Sequence, residues 1–424
     1  MRKPHKTLIL TVGAGIALLG ASLALLGDTT NRDIEALKAT GVPLSFQELA
    51  KVCLGSGQDA ERSYEQFVEG QQKLTSSQRD LQFSLMRRRF FSDREAQQDA
   101  NVANQVRPNL QPFLAAASQP CWNIGASNKS VATYSVLMSR SETLPYSLAE
   151  VDATNGNWKC ALPILRALEN FNLQVDQNPA YAPNRSSLKV YQIYEDLINR
   201  CSEDEQALKQ IIATLSEKRP EPNRRFHLVR FMIGDVEMAE HPSRYVPANP
   251  TDSVLGKFST SYLQPKKVRA FASKEIHMWR QAFDEFPKGP VSWIDARDEL
   301  VRIYQANSMK SEDEEETLPS NVAAAIKQCS VWGQADAQRR AVLLAAKMHL
   351  IHHQTGSYPK SLPGTGDEII DPFTQQPFVY RRTNLGSAYL MCGAQRIDLR
   401  PDYRSNAQST TFVPAHASLF SSGR

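Results

Sequence analysis

One stretch of the chain has no hydrophobic period because it is apolar throughout: Thr7–Gly27, TLILTVGAGIALLGASLALLG, contains no charged side chain. Its length matches the roughly 20 residues that cross the hydrocarbon core of a bilayer as a helix. Arg2, Lys3 and Lys6 precede it and Asp28 follows, so the positive-inside rule places the N-terminus in the cytoplasm and the body outside. A cleaved signal peptide is the competing reading, with Ser22-Leu23-Ala24 as a small-x-small cleavage site. The apolar run is longer than a typical signal core, which favours a retained anchor. Gly13, Ala17 and Ala21 recur every four residues, a spacing that lets two membrane helices approach. Gly13-x-Gly15 with Gly20 imitates a nucleotide loop but lacks the strand–turn–helix setting that such a loop needs.

After the span the pattern becomes helical. A short helix over Thr30–Thr40 is ended by Gly41-Val42-Pro43. Ser45-Phe46-Gln47-Glu48 then reads as a capping box flanked by Leu44 and Leu49. From Asp59 to Asn104, apolar residues at Tyr64, Phe67, Val68, Leu74, Leu81, Leu85 and Met86 keep helical spacing. Arg87-Arg88-Arg89 beside Phe90 and Phe91 reads as the solvated face of such a helix. Leu110–Ala117 is another short helix. Residues 123–160 are the least patterned, with a helix over Ser135–Leu144 stopped by Pro145 and a turn at Asn155-Gly156-Asn157.

Leu162–Leu173 is expected as a helix carrying Pro163 in its first turn. Val190, Tyr191, Tyr194, Leu197, Ile198 and Cys201 form one face of a helix capped by Ser187. Ser202–Glu205 reads as a second capping box, followed by Leu208, Ile211, Ile212 and Leu215. These two helices are expected to form an αα-hairpin. Phe226–Glu240, Val268–Phe286 and Ser292–Gln305 are further amphipathic helices. No fixed-period repeat is present. The acidic run Glu312–Glu316 reads as a solvated linker, since it lacks the spacing and glycine of a calcium loop.

Ala335–His353 is an alanine-rich helix stopped by Gly356. Asp371-Pro372-Phe373 opens a turn, and Pro377–Tyr380 with Ala388–Met391 reads as a β-hairpin. The expected fold is therefore mainly α: an N-terminal transmembrane helix, an irregular helical (αα-hairpin) exported body, and a small C-terminal α+β module. In order, the chain divides into a basic tip at 1–6, the anchor at 7–27, the exported body at 28–310, an acidic linker at 311–320, the module at 321–403 and a polar tail at 404–424.

That C-terminal pattern, a helix, G-x-Y-P-x-S-L, D-P-F-x-x-x-P-F-x-Y and a final Y-L-x-x-G, resembles the soluble end of type II secretion pseudopilins over about 60 residues. The resemblance implies a helix followed by a small antiparallel sheet. The chain departs from that family in two places. Its apolar span lacks the family's glutamate, and Gly393-Ala394-Gln395 stands where the calcium loop has Ala-Asp-Gly after the glycine. The whole layout is also similar to uncharacterised membrane-anchored envelope proteins of planctomycete-type bacteria, a resemblance that brings no established activity.

Composition changes this picture little. The net charge of +4, from 49 Lys plus Arg against 45 Asp plus Glu, is spread along the chain and does not point to nucleic acid. Cys53, Cys121, Cys160, Cys201, Cys329 and Cys392 make no CxxC spacing. In an oxidising compartment they permit disulfides, Cys160–Cys201 first among them, while buried free thiols are the equal alternative.

His349, His352 and His353 sit in H-L-I-H-H, which lacks the glutamate of H-E-x-x-H; histidines in a last helical turn also suit the macrodipole. Asn128-Lys129-Ser130 is a P-loop fragment without its second glycine. Asp235 and Glu237 show no paired arrangement beyond chance. No catalytic, cofactor-binding or metal residue is therefore assigned, and none of those groups is expected.

Partners expected are membrane lipid through the N-terminal helix and a protein partner or second copy, the latter through the Gly13/Ala17/Ala21 face. The reading is a single-pass envelope protein acting as a structural or interaction scaffold. The alternatives are an accessory component of a secretion or pilus-like system and an exported hydrolase with a dispersed site.

Overall fold

A computed structural model of the chain describes residues 29–53, 60–77, 79–80, 93–119, 143–177, 186–217, 224–246, 264–286, 292–308, 320–382, 387–392 and 395–399. In chain order the helices are α1 (29–39), α2 (Phe46–Cys53), α3 (Glu61–Gln72), α4 (Asp93–Val106), α5 (Gln111–Ala117) and α6 (Thr143–Thr154). They continue with α7 (Trp158–Gln177), α8 (Ser186–Arg200), α9 (Glu205–Ser216), α10 (Arg224–Glu240), α11 (Gln264–Glu285), α12 (Trp293–Ser308) and α13 (Asn321–Thr355). The strands are β1 (Ile370–Asp371), β2 (Gln376–Pro377), β3 (Val379–Arg382), β4 (Ala388–Cys392) and β5 (Gln395–Leu399).

The chain is thus mainly helical with a small antiparallel sheet element. Among the described residues no helix is long and apolar enough to cross a membrane. The candidate anchor Thr7–Gly27, its Gly13/Ala17/Ala21 face, the basic run at Arg87 and the acidic run Glu312–Glu316 lie outside the described residues.

Two compact units are present, and neither is continuous in sequence. The first joins residues up to Val52 to Asn223–Cys329; the second joins Cys53–Pro222 to the chain from Ser330 onward.

In the first unit α10 and α11 pack side by side and α12 packs on α11. Leu228, Met232, Ile233, Ile276, Trp279 and Leu300 are buried there. α1 is tied to α11 by polar groups: buried Asp33 accepts from Arg280 Nη1 at 2.7 Å and faces His277 Nδ1 at 3.0 Å. Thr30 and Ser273 share a further hydroxyl hydrogen bond. Gly41, expected to end α1, does so with φ +72°, a conformation that glycine adopts without a Cβ clash. The Ser45 cap forms, with Glu48 N donating to Ser45 Oγ at 3.2 Å. Glu48 reaches one residue further back than expected, to Leu44 N at 2.8 Å.

The second unit is built on α7. Helices α5, α6, α8 and α9 all pack against it. At its centre Tyr64, Phe67, Phe113 and Phe171 meet edge-on or tilted at centroid distances of 5.4–5.9 Å, geometry that favours aromatic pairs. Gln174 satisfies the polar atoms around this cluster. Its oxygen accepts from Tyr64 Oη at 2.5 Å, and its nitrogen donates to Gln119 O at 2.7 Å. The α8 face expected from sequence is buried at Val190, Tyr191, Tyr194, Leu197, Ile198 and Cys201.

Beyond α13, Arg340 donates to the carbonyls of Asp367 and Ile370 at 2.7 and 3.1 Å. β1 pairs with β2, and β3-β4-β5 form an antiparallel sheet. The expected hairpin is β3–β4, with Tyr380 opposite Leu390. β5 adds a third strand in which Asp398 faces Tyr389, so this aspartate belongs to a strand ladder.

Four local expectations are corrected. Pro145 does not stop a helix; it sits in the first turn of α6, where the missing amide has no helical acceptor to lose. Pro163 lies inside α7, which begins at Trp158. Ser202 is not the cap of α9: the turn after α8 continues through Asp204 N donating to Cys201 O at 2.9 Å. Asp204 is therefore the first extended residue, and its Oδ1 accepts from Ala207 N at 2.9 Å. α13 is 35 residues long and starts at Asn321, well before the stretch that sequence pattern marks.

Candidate functional site

A concave feature lies in the second unit, where α5, α7 and α9 leave a cavity of about 670 Å³. Ligand sites commonly fall in the range of roughly 300–1,000 Å³. Leu114 and Ala117 of α5 and Leu162, Pro163 and Ala167 of α7 supply its apolar lining; Gln210 and Thr214 of α9 supply polar groups. Lys159 and Arg166 add positive charge. Arg166 is offset by Glu217, 2.7 Å away, and Lys159 rests 5.4 Å from the Trp158 ring centroid.

Proline has no amide hydrogen, so Pro163 leaves the Lys159 carbonyl without its helical donor, and both residues line the cavity. The N-cap Asp204 also holds Trp158 at the edge, accepting from Nε1 at 3.0 Å. One aspartate thereby starts α9 and fixes an aromatic wall.

A partly buried ion pair ties the turn before α5 to α6. Arg107, in the 3-10 turn that leads into α5, makes two hydrogen bonds to Asp152, at 2.7 and 2.9 Å. Asn157 N donates to Asp152 O at 2.8 Å across the Gly156 turn. Burial pushes the Asp152 carboxyl above its ordinary range, and the Arg107 bonds offset only part of that rise.

A second concentration of polar groups lies in the first unit, at the start of α13. Ser320 caps the helix, accepting from Ala323 N at 3.0 Å. Glu275 of α11 accepts from Val322 N at 2.9 Å and from the Ser320 hydroxyl. Asp235 of α10, fully buried, accepts from Trp279 Nε1 and Asn321 Nδ2, each at 2.7 Å. Gly234 allows this approach, since a Cβ there would stand 3.1 Å from Asn321 Nδ2. Burial and the Glu275 charge hold the Asp235 carboxyl well above its usual range. Sequence spacing gave Asp235 no partner because its partners come from positions 275, 279 and 321.

The histidine cluster does not converge. His349 is buried and faces the Tyr358 hydroxyl at 3.3 Å, and burial lowers its imidazole to about 4. His352 lies over the Tyr358 ring at 4.4 Å, and His353 faces Glu203 at 3.7 Å. Among the described residues no group of three His, Cys, Asp or Glu is placed to hold a metal. Cys160, Cys201 and Cys329 are free thiols, so the Cys160–Cys201 pair is not bonded. Cys201 Sγ points at Gly156 O, 3.6 Å away. Asn128-Lys129-Ser130 lies outside the described residues.

Comparison of the chain with protein-family profiles, with curated proteins and with solved structures finds no match.

Proposed function

We propose that this chain is a membrane-tethered, exported helical scaffold whose cavity between α5, α7 and α9 receives an apolar segment of a protein partner. The tether is the uncharged run Thr7–Gly27 with its basic leading edge. The observation that carries the binding reading is the contrast between the cavity and the buried carboxylates. Asp33, Asp152, Asp235 and Glu275 are each occupied by donors that join helices to one another. The cavity is lined by apolar side chains of α5 and α7, with the cations Lys159 and Arg166 among its lining residues. Such a surface suits burial of an apolar stripe beside a carboxylate, as helix-in-groove recognition requires.

Two arms test this reading. Alkaline phosphatase fused after Thr40 should be active outside the cytoplasm and stay with membranes through an alkaline wash; inactivity or release overturns the tether. A photo-crosslinking residue at Thr214 should give one discrete protein adduct in the producing cells. Leu114→Lys should abolish that adduct, and its persistence overturns the cavity as the binding site.

A second reading has its own support. A long helix followed by a three-stranded antiparallel sheet suits an accessory component of a secretion or pilus-like assembly, and co-purification with such an assembly would favour it.

A further inference from the structure

Strand β3 leaves one edge of the C-terminal sheet open. Its inner edge pairs with β4, and the order β3-β4-β5 puts β3 on the outside. On the outer side β1 reaches only to the start of the strand. Asp371 stands opposite Gln376 and Ile370 opposite Pro377, and Phe378 N donates to Ile369 O at 2.8 Å. The chain before Ile370 turns away as the 3-10 turn Gly366–Ile369. The lane that β1 occupies is thereby vacated beside Val379–Arg382.

The hydrogen-bonding phase of that edge follows from its first bond. Along an antiparallel pair, hydrogen-bonded and non-hydrogen-bonded positions alternate. Phe378 directs its amide to the β1 side, so Tyr380 and Arg382 do the same. Val379 and Arg381 face across to Met391 and Tyr389 of β4. Among the described residues no backbone group pairs with Tyr380 or Arg382 on the outer side.

Side chains set what the edge attracts. Val379 is 52% exposed, and Arg381 and Arg382 are exposed on opposite faces of the strand. Among the described residues neither guanidinium has an ion pair. Tyr380 Oη donates to Pro359 O at 2.7 Å, and Lys360 adds an exposed cation next to that contact. Within the three-stranded sheet the acidic residue is Asp398; it shares the Arg381 row but stands two strands away, about 10 Å, and Arg396 shares the Val379 row. In the turn that leaves the lane, Glu368 is held by Lys347 at 2.6 Å, leaving Asp367 against three cations. A second copy is a poor occupant. Antiparallel self-pairing with Tyr380 against Arg382 would set Arg381 against Arg381, and like charges directly opposed destabilise a pair. Exposed cations on an edge thus discourage self-association while favouring a guest of opposite sign.

We propose that the open edge of β3 takes an extended, acidic segment of a partner protein as an added antiparallel strand. Tyr380 and Arg382 supply main-chain hydrogen bonds, and the two guanidiniums receive carboxylates from adjacent residues of the guest, one on each face. The edge shares no residue with the cavity and stands independently of the cavity reading.

Fluorescence anisotropy with the full chain in neutral detergent and the labelled peptide Thr-Val-Glu-Glu-Thr-Val tests it. The wild type should bind this peptide, and bind the version with lysine for glutamate at least about tenfold more weakly. Arg381→Glu/Arg382→Glu should reverse that order. N-methylating both glutamates keeps the charges, removes main-chain donors on either edge of the guest, and should also weaken binding. Residue-resolved hydrogen exchange gives a second readout: the acidic peptide should protect the Tyr380 and Arg382 amides and leave Val379 and Arg381, already facing β4, unchanged. Absent binding of the acidic peptide, or binding indifferent to charge reversal or to N-methylation, overturns the proposal. Protection of the two outer amides that rises with chain concentration alone also overturns it, and assigns the edge to a second copy.

Discussion

Replacing Arg107 with methionine asks how the α5 wall of the cavity is held. Methionine keeps the aliphatic stem and removes the guanidinium, so packing changes little while Asp152 loses both its 2.7 and 2.9 Å bonds. Asp152 is 3% exposed, so its carboxylate is left buried with Asn157 as remaining company. Removing one partner of a buried pair typically destabilises by about 3–5 kcal/mol, mostly through the stranded charge. For a unit of this size that lowers the thermal midpoint by on the order of 10 °C.

The sign of the pH dependence follows from Asp152. Burial already raises its carboxyl in the folded state, so the folded form holds the proton more tightly than the unfolded form, and this group's contribution weakens as pH rises. Without Arg107 that weakening grows: the deficit of Arg107→Met should be largest near neutral pH and shrink as the pH falls and Asp152 takes up its proton. Arg107→Met/Asp152→Asn should recover a substantial part of the loss. Circular dichroism melts of both variants at pH 4.5 and 7.5 provide the measurement. A deficit below about 1 kcal/mol, as for an exposed pair, or one independent of pH, refutes the stranded-charge argument.

Three further outcomes are expected. Gly70→Ala, where an added Cβ meets nothing within 4 Å, should stabilise α3 by roughly 0.5–1 kcal/mol, whereas Gly234→Ala should destabilise because Asn321 would have to withdraw from Asp235; urea midpoints distinguish the two signs. Alkylation of the native chain without reductant should modify Cys160 ahead of Cys201, whose thiol burial pushes up to about 12, and a mass deficit of one disulfide between them would be the contrary result. His349 stays neutral when folded down to about 4 against an ordinary 6.5, so the unfolded chain gains its proton first and stability falls as pH drops through that interval. His349→Phe should show a shallower acid decline in denaturant midpoints, and an unchanged decline would contradict the buried-imidazole account.

Periodicity found most helices because an amphipathic stripe is a local property: the α8 and α9 faces, the Ser45 cap and the Gly41 stop are written within a few residues of where they act. The same locality misplaced other features. Pro163 suited the first turn of a helix because its missing amide costs least there, yet the helix starts at Trp158, whose indole is held by Asp204, some 46 residues away. Ser202 carried the usual capping signature, and the continued turn at Cys201 passed the role to Asp204. The first part of α13 escaped notice because its apolar pattern is weaker than that of the later stretch, although Ser320 caps it locally; the second acceptor at its start, Glu275, arrives from another helix.

What the sequence alone determined is the helical character of the chain, the hairpin after Asp371, the lack of any short catalytic motif and the uncharged run at its beginning. These follow from side-chain period and spacing, which need no knowledge of distant contacts. Only the tertiary structure decided which carboxylates are buried, which thiols are free and where a cavity opens. Burial, charge repulsion and concavity arise between residues tens to hundreds of positions apart, and no local pattern carries that information.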